Sequence, residues 1–229
     1  MKPSDSPDGV VDPTPVIAAL EIALFVAVVV ADAFGLVPVT QTLFLIPLIW
    51  LLLRLRGERW SDLGFARPDR LGRAVAVGVL AGVLMELLAV YVTTPLISGL
   101  FGVEPDYSEL RDVRGNLVLL LVFLGLSWTL AAFGEELCFR GFLMKRLAQL
   151  FGESGAAWIA ALLLSSALFG WGHTEQGVSG WIQEGLHGLI LGALFLSAGR
   201  NLTVPIVAHG VSNTLAFVLI YLGRYPGSG

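Results

Sequence analysis

Long apolar stretches separated by short polar segments dominate this 229-residue chain. A helix that spans a membrane needs roughly 20 mostly apolar residues, because the hydrocarbon core is about 30 Å thick and each residue adds about 1.5 Å. The pattern predicts seven spanning helices, of which the second is the shortest and contains Pro47. Their predicted ranges are 15–36, 39–54, 74–98, 117–138, 156–173, 181–199 and 203–222.

The composition agrees with a membrane protein. Mean hydropathy is +0.79 and charged residues make up 14% of the chain, against about a quarter in a typical soluble domain. The short alternating strands of a β-barrel are not found in the sequence. We therefore predict an all-α fold, a polytopic transmembrane bundle of about seven to eight helices. Residues 1–14 are predicted to be a disordered polar tail, and residues 15–229 a single integral membrane domain.

The charges predict an orientation. Six arginines lie between positions 54 and 73, and the positive-inside rule places that loop in the cytoplasm. The loop 99–116 carries acidic residues and falls outside, while the N-terminus falls inside and the C-terminus outside. The net charge of -4 is spread along the chain, without the basic patch of a nucleic-acid-binding protein. The single cysteine, Cys138, excludes an internal disulfide.

Ionisable residues in the fourth span need an explanation, because a charge at membrane depth costs roughly 2.5–3.5 kcal/mol on insertion scales. Glu136 and Arg140 are separated by four positions and can form an ion pair on one helix face. Glu135 points about 100° away from Glu136 and has no partner on its own helix. One carboxylate is therefore predicted to be structural and the other to be available for chemistry.

Two later spans contribute polar residues with the same spacing. Phe169 and His173 share one helix face, as do His209 and Asn213. An antiparallel hairpin turning at 152–155 would bring Glu135 and His173 to one level. His209 follows the turn at Arg200 by only a few residues, which predicts a shallow site near the cytoplasmic face.

This set of residues permits two chemistries. Glu135 beside a histidine in a dry pocket can deprotonate a water, while His209 and Asn213 donate hydrogen bonds to an oxyanion, which is a metal-free hydrolysis of a peptide bond. Alternatively, Glu135, His173 and His209 match the ligands of some catalytic zinc sites. Asparagine is a weak zinc ligand, so we favour the scheme without a cofactor.

The ordered motifs E-E-x-x-x-R, F-x-x-x-H and H-x-x-x-N, each on its own apolar span, resemble the CPBP family of intramembrane endopeptidases (CAAX proteases and bacteriocin-processing enzymes, also labelled Abi). The matching elements cover residues 117–222, the predicted catalytic core. The resemblance implies that Glu135 activates water beside His173 and that His209 and Asn213 form the oxyanion hole. It implies supporting roles for Glu136, Arg140 and Phe169. The family was first described as metalloproteases and later as glutamate-dependent.

The resemblance also predicts the partners and location of the protein. The expected substrate is a membrane-associated peptide, either prenylated or carrying a leader, and the expected location is a prokaryotic plasma membrane with the site toward the cytoplasm. Two other functions stay open: a non-catalytic immunity or scaffold protein of the same fold, and a small proton-coupled transporter. Intramembrane carboxylates in the N-terminal spans would serve the transporter, but snorkelling or local pairing is the commoner explanation. These carboxylates are Glu21, Asp32 and Glu86.

Two further features have structural interpretations. His187 matches no motif of the family and is predicted to pack within the bundle or to bridge helices. The pairs Gly78/Gly82 and Gly188/Gly192 have the spacing that lets helices approach closely.

Overall fold

A computed structural model describes residues 14–103, 107–173 and 176–226, which form a helical bundle without strands. Within this part of the chain, seven helices follow one another, with short 3₁₀ turns at Trp60–Leu63 and Ser108–Val113. The predicted all-α bundle is confirmed, whereas residues 1–13 of the predicted tail lie outside the described residues. The helices are α1 (Thr14–Ala33), α2 (Thr42–Arg56), α3 (Leu71–Phe101), α4 (Leu117–Leu150), α5 (Gly155–Trp171), α6 (Gly177–Ser197) and α7 (Thr203–Tyr221).

Four of these helices, α1, α3, α4 and α7, are long and apolar enough to cross a membrane, and α5 is a shorter apolar helix. Helix α2 has 15 residues, so it extends only about 22 Å along its axis. Large apolar side chains cover the outer surface; Leu80, Val118 and Leu121 are among those that are more than half exposed. A surface of this kind needs a lipid environment, so the protein is an integral membrane protein.

The central helix α4 is not a regular α-helix. Between Ser127 and Leu143 it has the wider π-helical hydrogen bonding, and the amide of Met144 donates to the carbonyl of Phe139, five residues back. π-Helical turns occur frequently at functional sites. This segment contains both adjacent glutamates of the first motif.

The arginine-rich loop, residues 57–70, packs against the turn that follows α6. The amide of Leu202 donates to the carbonyl of Gly64 over 3.0 Å, and the Asn201 side chain donates to the carbonyl of Ala66 over 2.8 Å. These segments form what we call the arginine-rich end of the bundle.

The opposite end is formed by the segment before α4 and by the C-terminal residues. The amide of Gly115 donates to the carbonyl of Tyr221 over 3.0 Å. The rings of Tyr107 and Tyr225 pack edge to face, with centroids 5.2 Å apart. We call this the tyrosine end.

A network of five charges holds α1, α2 and α4 together at the arginine-rich end. Glu21 of α1 pairs with Arg56 and with the fully buried Arg146, at 2.9 and 2.6 Å. Glu58 pairs with Lys145 at 2.9 Å and with Arg146 at 3.1 Å. Burial raises the pKa of the Glu58 carboxyl, but the hydrogen bonds and charges of Lys145 and Arg146 outweigh it and hold this pKa below its ordinary value. Glu21 of α1 thus forms ion pairs with one residue of α2 and one residue of α4.

Helices α3 and α7 pack closely at the first glycine pair, as predicted. A Cβ atom on Gly82 would collide with the carbonyl oxygen of Ala208. Both helices start at the arginine-rich end and run in the same direction. One turn further along each helix, the Ser212 hydroxyl therefore meets Glu86 and donates to its Oε2 over 2.7 Å.

Candidate active site

The ion pair predicted on α4 is present and completely buried. Arg140 donates to Oε1 of Glu136 over 2.9 Å, and both side chains are at most 1% exposed. The same guanidinium donates to the carbonyl of Gly188 on α6 over 3.2 Å and lies 4.4 Å from the ring centroid of Phe169 on α5. The three residues predicted as supporting, Glu136, Arg140 and Phe169, thus fix α4 relative to its two neighbours.

His209 on α7 lies between the two adjacent carboxylates of α4. Its Nδ1 is 2.9 Å from Oε1 of Glu136, and its Nε2 is 4.0 Å from Oε2 of Glu135. The ionised Glu136 side chain accepts hydrogen bonds and donates none, so Nδ1 carries a proton. This bond directs Nε2 of the imidazole toward Glu135.

His173 lies in the turn that follows α5, two residues beyond its last residue, Trp171. Nδ1 donates to the carbonyl oxygen of Phe169 over 2.8 Å, and the two rings are 4.8 Å apart. Phe169 and His173, which are four residues apart, are therefore in direct contact, although α5 ends before His173. The hydrogen bond orients the imidazole and leaves Nε2 as the ring nitrogen that can accept a proton.

Asn213 lies one turn after His209 and is held by α4. Its Nδ2 donates to the Ser127 hydroxyl over 3.1 Å. A side-chain amide has two N–H donors, so one remains for another group.

All four residues of the predicted catalytic set line one cavity of about 170 Å³. The structure brings Glu135, His173, His209 and Asn213 together from two helices and one turn. Glu135 is not locked to Arg140, because Glu136 occupies that guanidinium.

The same cavity contains residues that sequence reasoning did not assign to the site. They are Glu86 of α3, Glu184 and His187 of α6, and the two tyrosines of the tyrosine end. His187 bonds to Glu184 on its own helix over 3.2 Å and also lines the cavity. Glu86 and Glu184 could have been found from the sequence, because each is an ionisable residue inside an apolar stretch. Tyr107 and Tyr225 follow the ends of helices and had no such signal.

The cavity lies within the bundle, between the middle of α4 and the tyrosine end. Glu135 is 15 residues before the end of α4 at Leu150, which is roughly 20 Å along a helix axis. His173 lies at the end of α5 that is remote from the arginine-rich loop, and the cavity extends to Tyr107 and Tyr225. The cavity therefore lies nearer to the tyrosine end, and the predicted side of the membrane stays a prediction.

The alternative with zinc requires Glu135, His173 and His209 to converge. In the described part of the chain, no group of three His, Cys, Asp or Glu side chains is arranged to hold a metal ion. The 4.0 Å between Glu135 and His209 exceeds the roughly 3.4 Å that separates two ligands of a tetrahedral zinc at 2.1 Å. The predicted ligand set does not fit an ion in this geometry.

An apolar helical bundle that encloses a carboxylate, two imidazoles and an amide has the functional groups of an intramembrane hydrolase. Residues 117–215 match the family described as "Type II CAAX prenyl endopeptidase Rce1-like". This similarity is consistent with the CPBP family of intramembrane proteases. Comparisons with curated proteins and with solved structures found no significant match.

The matched segment covers less than half of the chain and includes every residue of the three motifs. Glu86, Tyr107 and Tyr225 lie outside it, yet they line the same cavity. The site is therefore completed by residues that the family match does not include.

Proposed function

We propose that this protein is an intramembrane endopeptidase that uses Glu135 to activate a water and cleaves a membrane-associated peptide. One observation carries the proposal. Of two adjacent carboxylates, Glu136 is bound to Arg140 and to Nδ1 of His209, whereas Glu135 faces Nε2 of the same imidazole within the cavity. Of these two carboxylates, Glu135 is the one positioned to exchange a proton with a water held there.

In the proposed reaction, the Glu135 carboxylate takes a proton from a water, and the water oxygen bonds to the carbonyl carbon of the substrate. The carbonyl oxygen becomes an oxyanion, which accepts hydrogen bonds from the Asn213 amide and from Nε2–H of His209. Glu135 then gives its proton to the leaving nitrogen as the C–N bond breaks. General base catalysis contributes about 10²–10⁴-fold, and one oxyanion donor about 10²–10³-fold.

Glu136 has a defined role in this scheme. Nδ1 of His209 already donates to Glu136, so His209 donates from Nε2 only when the imidazole is doubly protonated. The buried Glu136 carboxylate lies 2.9 Å from Nδ1 and accepts its proton in a hydrogen bond. His173, oriented by the Phe169 carbonyl, lines the cavity beside Glu135 and contributes to holding the water.

The expected substrates are those of the family: a prenylated C-terminal tail or a leader peptide that lies in the membrane. The description of the matched family as a prenyl endopeptidase supports the first class. We further propose that the protein works in a prokaryotic plasma membrane. The bilayer holds enzyme and substrate together, and nucleic acid has no part in the reaction.

The test is cleavage of lipid-anchored peptides by purified protein in liposomes. Glu135→Gln should lower the rate at least about 100-fold while leaving the melting temperature unchanged. Glu153→Gln, a change at an exposed glutamate in the turn after α4, is the matched control and should cleave normally. Normal cleavage by Glu135→Gln would refute the mechanism.

Metal dependence has its own experiment. The metal-free scheme expects full activity after dialysis against a chelator and no stoichiometric metal in the active protein. If the chelator abolishes activity and added zinc restores it, the reaction is metal-dependent and the general-base scheme is wrong.

A further inference from the structure

A second cavity, of about 490 Å³, lies at the arginine-rich end of the bundle. It is formed where the start of α3 meets the turn between α6 and α7, and its lining includes Arg70 and Arg73 on one side and Asn201 and Val204 on the other; we call it the arginine cavity. It shares no lining residue with the candidate active site. The function proposed above assigns it no part.

The two arginines of this cavity carry charges that no carboxylate compensates. Among the described residues, the three cations of the network that joins α1, α2 and α4 are each paired with a glutamate, whereas Arg70 and Arg73 are exposed and form no ion pair. Asp69 is the one carboxylate among the described lining residues. Two arginines against one aspartate leave the cavity with a net positive charge, which attracts an anion.

An apolar stripe continues from the arginine cavity along the same face of α3. Arg73, Val77, Leu80 and Leu84 follow one another at spacings of four, three and four residues, which places them on one face of the helix. The three apolar side chains are exposed. From Arg73 to Leu84 the stripe extends roughly 16 Å along the helix axis, about half of the 30 Å hydrocarbon core. A cationic cavity with an apolar stripe one leaflet deep has the dimensions of a phospholipid.

The position of the arginine cavity favours an anionic lipid. The positive-inside rule predicts that this end of the bundle faces the cytoplasm, and the cytoplasmic leaflet carries anionic lipids, whose headgroups bind in basic pockets between transmembrane helices. Guanidinium groups can donate two parallel hydrogen bonds to a phosphate.

The cavity also lies at the contact between α3 and α7. A Cβ atom on Gly78 of α3 would lie 2.9 Å from the carbonyl oxygen of Val204, and Val204 lines the cavity. A ligand that contacts both helices stabilises the folded protein, because it binds a surface that exists only when they are packed together.

We propose that the arginine cavity binds the headgroup of an anionic phospholipid. Arg70 and Arg73 bind its phosphate, and one acyl chain lies along Val77, Leu80 and Leu84. The bound lipid bridges the start of α3 and the start of α7, and thereby stabilises the packing of the two helices.

The test is thermal unfolding of the purified protein in a neutral detergent with added lipid. Dioleoylphosphatidylglycerol should raise the melting temperature of the wild type by about 3 °C more than the same amount of dioleoylphosphatidylcholine. The double variant Arg70→Gln/Arg73→Gln should lose this difference. The matched control Arg59→Gln/Arg67→Gln should keep it, because it removes the same charge from two exposed arginines of the same loop that do not line the cavity.

A variant with the opposite expected effect strengthens the test. Asp69→Asn removes the carboxylate from the lining of the cavity. It should lower the concentration of phosphatidylglycerol that gives half of the maximal shift by roughly 5-fold. Asp112→Asn, a change at an exposed aspartate of the tyrosine end, should leave that concentration unchanged. An affinity that Asp69→Asn leaves unaltered or weakens would contradict the proposed position of the phosphate.

Three results would overturn the inference. The first is an equal shift with phosphatidylcholine in the wild type, and the second is a full shift in Arg70→Gln/Arg73→Gln. The third is an equal shift with inorganic phosphate or glycerol 3-phosphate at the same concentration, which would show that the cavity binds a free anion and not a lipid. None of these measurements requires cleavage of a peptide, so their outcome is independent of the proposed function.

Discussion

Oε1 of Glu136 lies 2.9 Å from Nδ1 of His209. The same oxygen lies 2.9 Å from the guanidinium of Arg140, so a single buried carboxylate oxygen serves both an ion pair and an imidazole. Glu135, the preceding residue, approaches the other nitrogen of that imidazole. The two adjacent glutamates therefore have different roles, one that orients His209 and one that is directed into the cavity.

Glu136→Gln should lower both stability and activity. The change leaves Arg140 buried without a counter-ion, which costs about 3–5 kcal/mol, or a decrease of roughly 10 °C in melting temperature for a chain of this size. It also removes the charge that stabilises a protonated His209. Thermal unfolding in detergent and peptide cleavage measure the two effects. The double variant Glu136→Gln/Arg140→Met should unfold at a higher temperature than the single one, because no unpaired cation is buried.

Loss of the Asn213 side chain should affect catalysis more than stability. Asn213→Ala removes a proposed oxyanion donor and should lower kcat about 10²–10³-fold with little change in KM. Ser127→Ala removes only the group that accepts from Nδ2, and we expect about a 10-fold decrease. Equal rates for Asn213→Ala and the wild type would exclude the amide from the oxyanion hole.

Gly82→Ala should destabilise the bundle. The added methyl group collides with the Ala208 carbonyl and forces α3 away from α7, at a cost of about 1–3 kcal/mol. The matched control is Gly72→Ala on the same helix, where no atom lies within 4 Å of the new methyl group; it should be neutral or stabilise by up to about 1 kcal/mol. Equal melting temperatures for the two variants would contradict the close packing of α3 and α7.

Stability should depend on pH through Glu58. The pKa of this carboxyl is held below its ordinary value of 4.5 in the folded protein, so its ion pairs stabilise the fold above pH 4.5. Their contribution, about 1 kcal/mol at most for a partly exposed pair, is lost as the pH falls through the lowered pKa. The difference in melting temperature between the wild type and Glu58→Gln should be constant from pH 7 to 5 and shrink below 4.5. A difference in melting temperature that grows as the pH falls would contradict this prediction.

The orientation in the membrane can be tested with single cysteines. Cys138 is buried, so labelling by a membrane-impermeant thiol reagent reports the introduced site. Ser61→Cys in the arginine-rich loop should react only after the cells are opened, since the positive-inside rule places it in the cytoplasm. Asp112→Cys, exposed at the tyrosine end, should react in intact cells. The reverse pattern would place the cavity toward the cytoplasm instead.

The sequence by itself determined the helical class, the seven helices and the two adjacent glutamates with different partners. These features depend on local periodicity: runs of apolar residues form helices in lipid, and a spacing of four residues brings Glu136 to Arg140 on any helix. The motif residues were also identifiable, because an ionisable group inside an apolar stretch is costly unless it faces a polar interior.

Tertiary structure alone decided which residues outside the motifs reach the cavity and where it lies along the bundle. Glu86 joins the site because Gly82 lets α3 approach α7 closely enough for Ser212 to bind it. Glu21 reaches Arg146 only when α1 packs against α4. Such contacts join positions more than one hundred residues apart. They depend on helix packing and on the unbroken length of α4, which local sequence patterns do not encode.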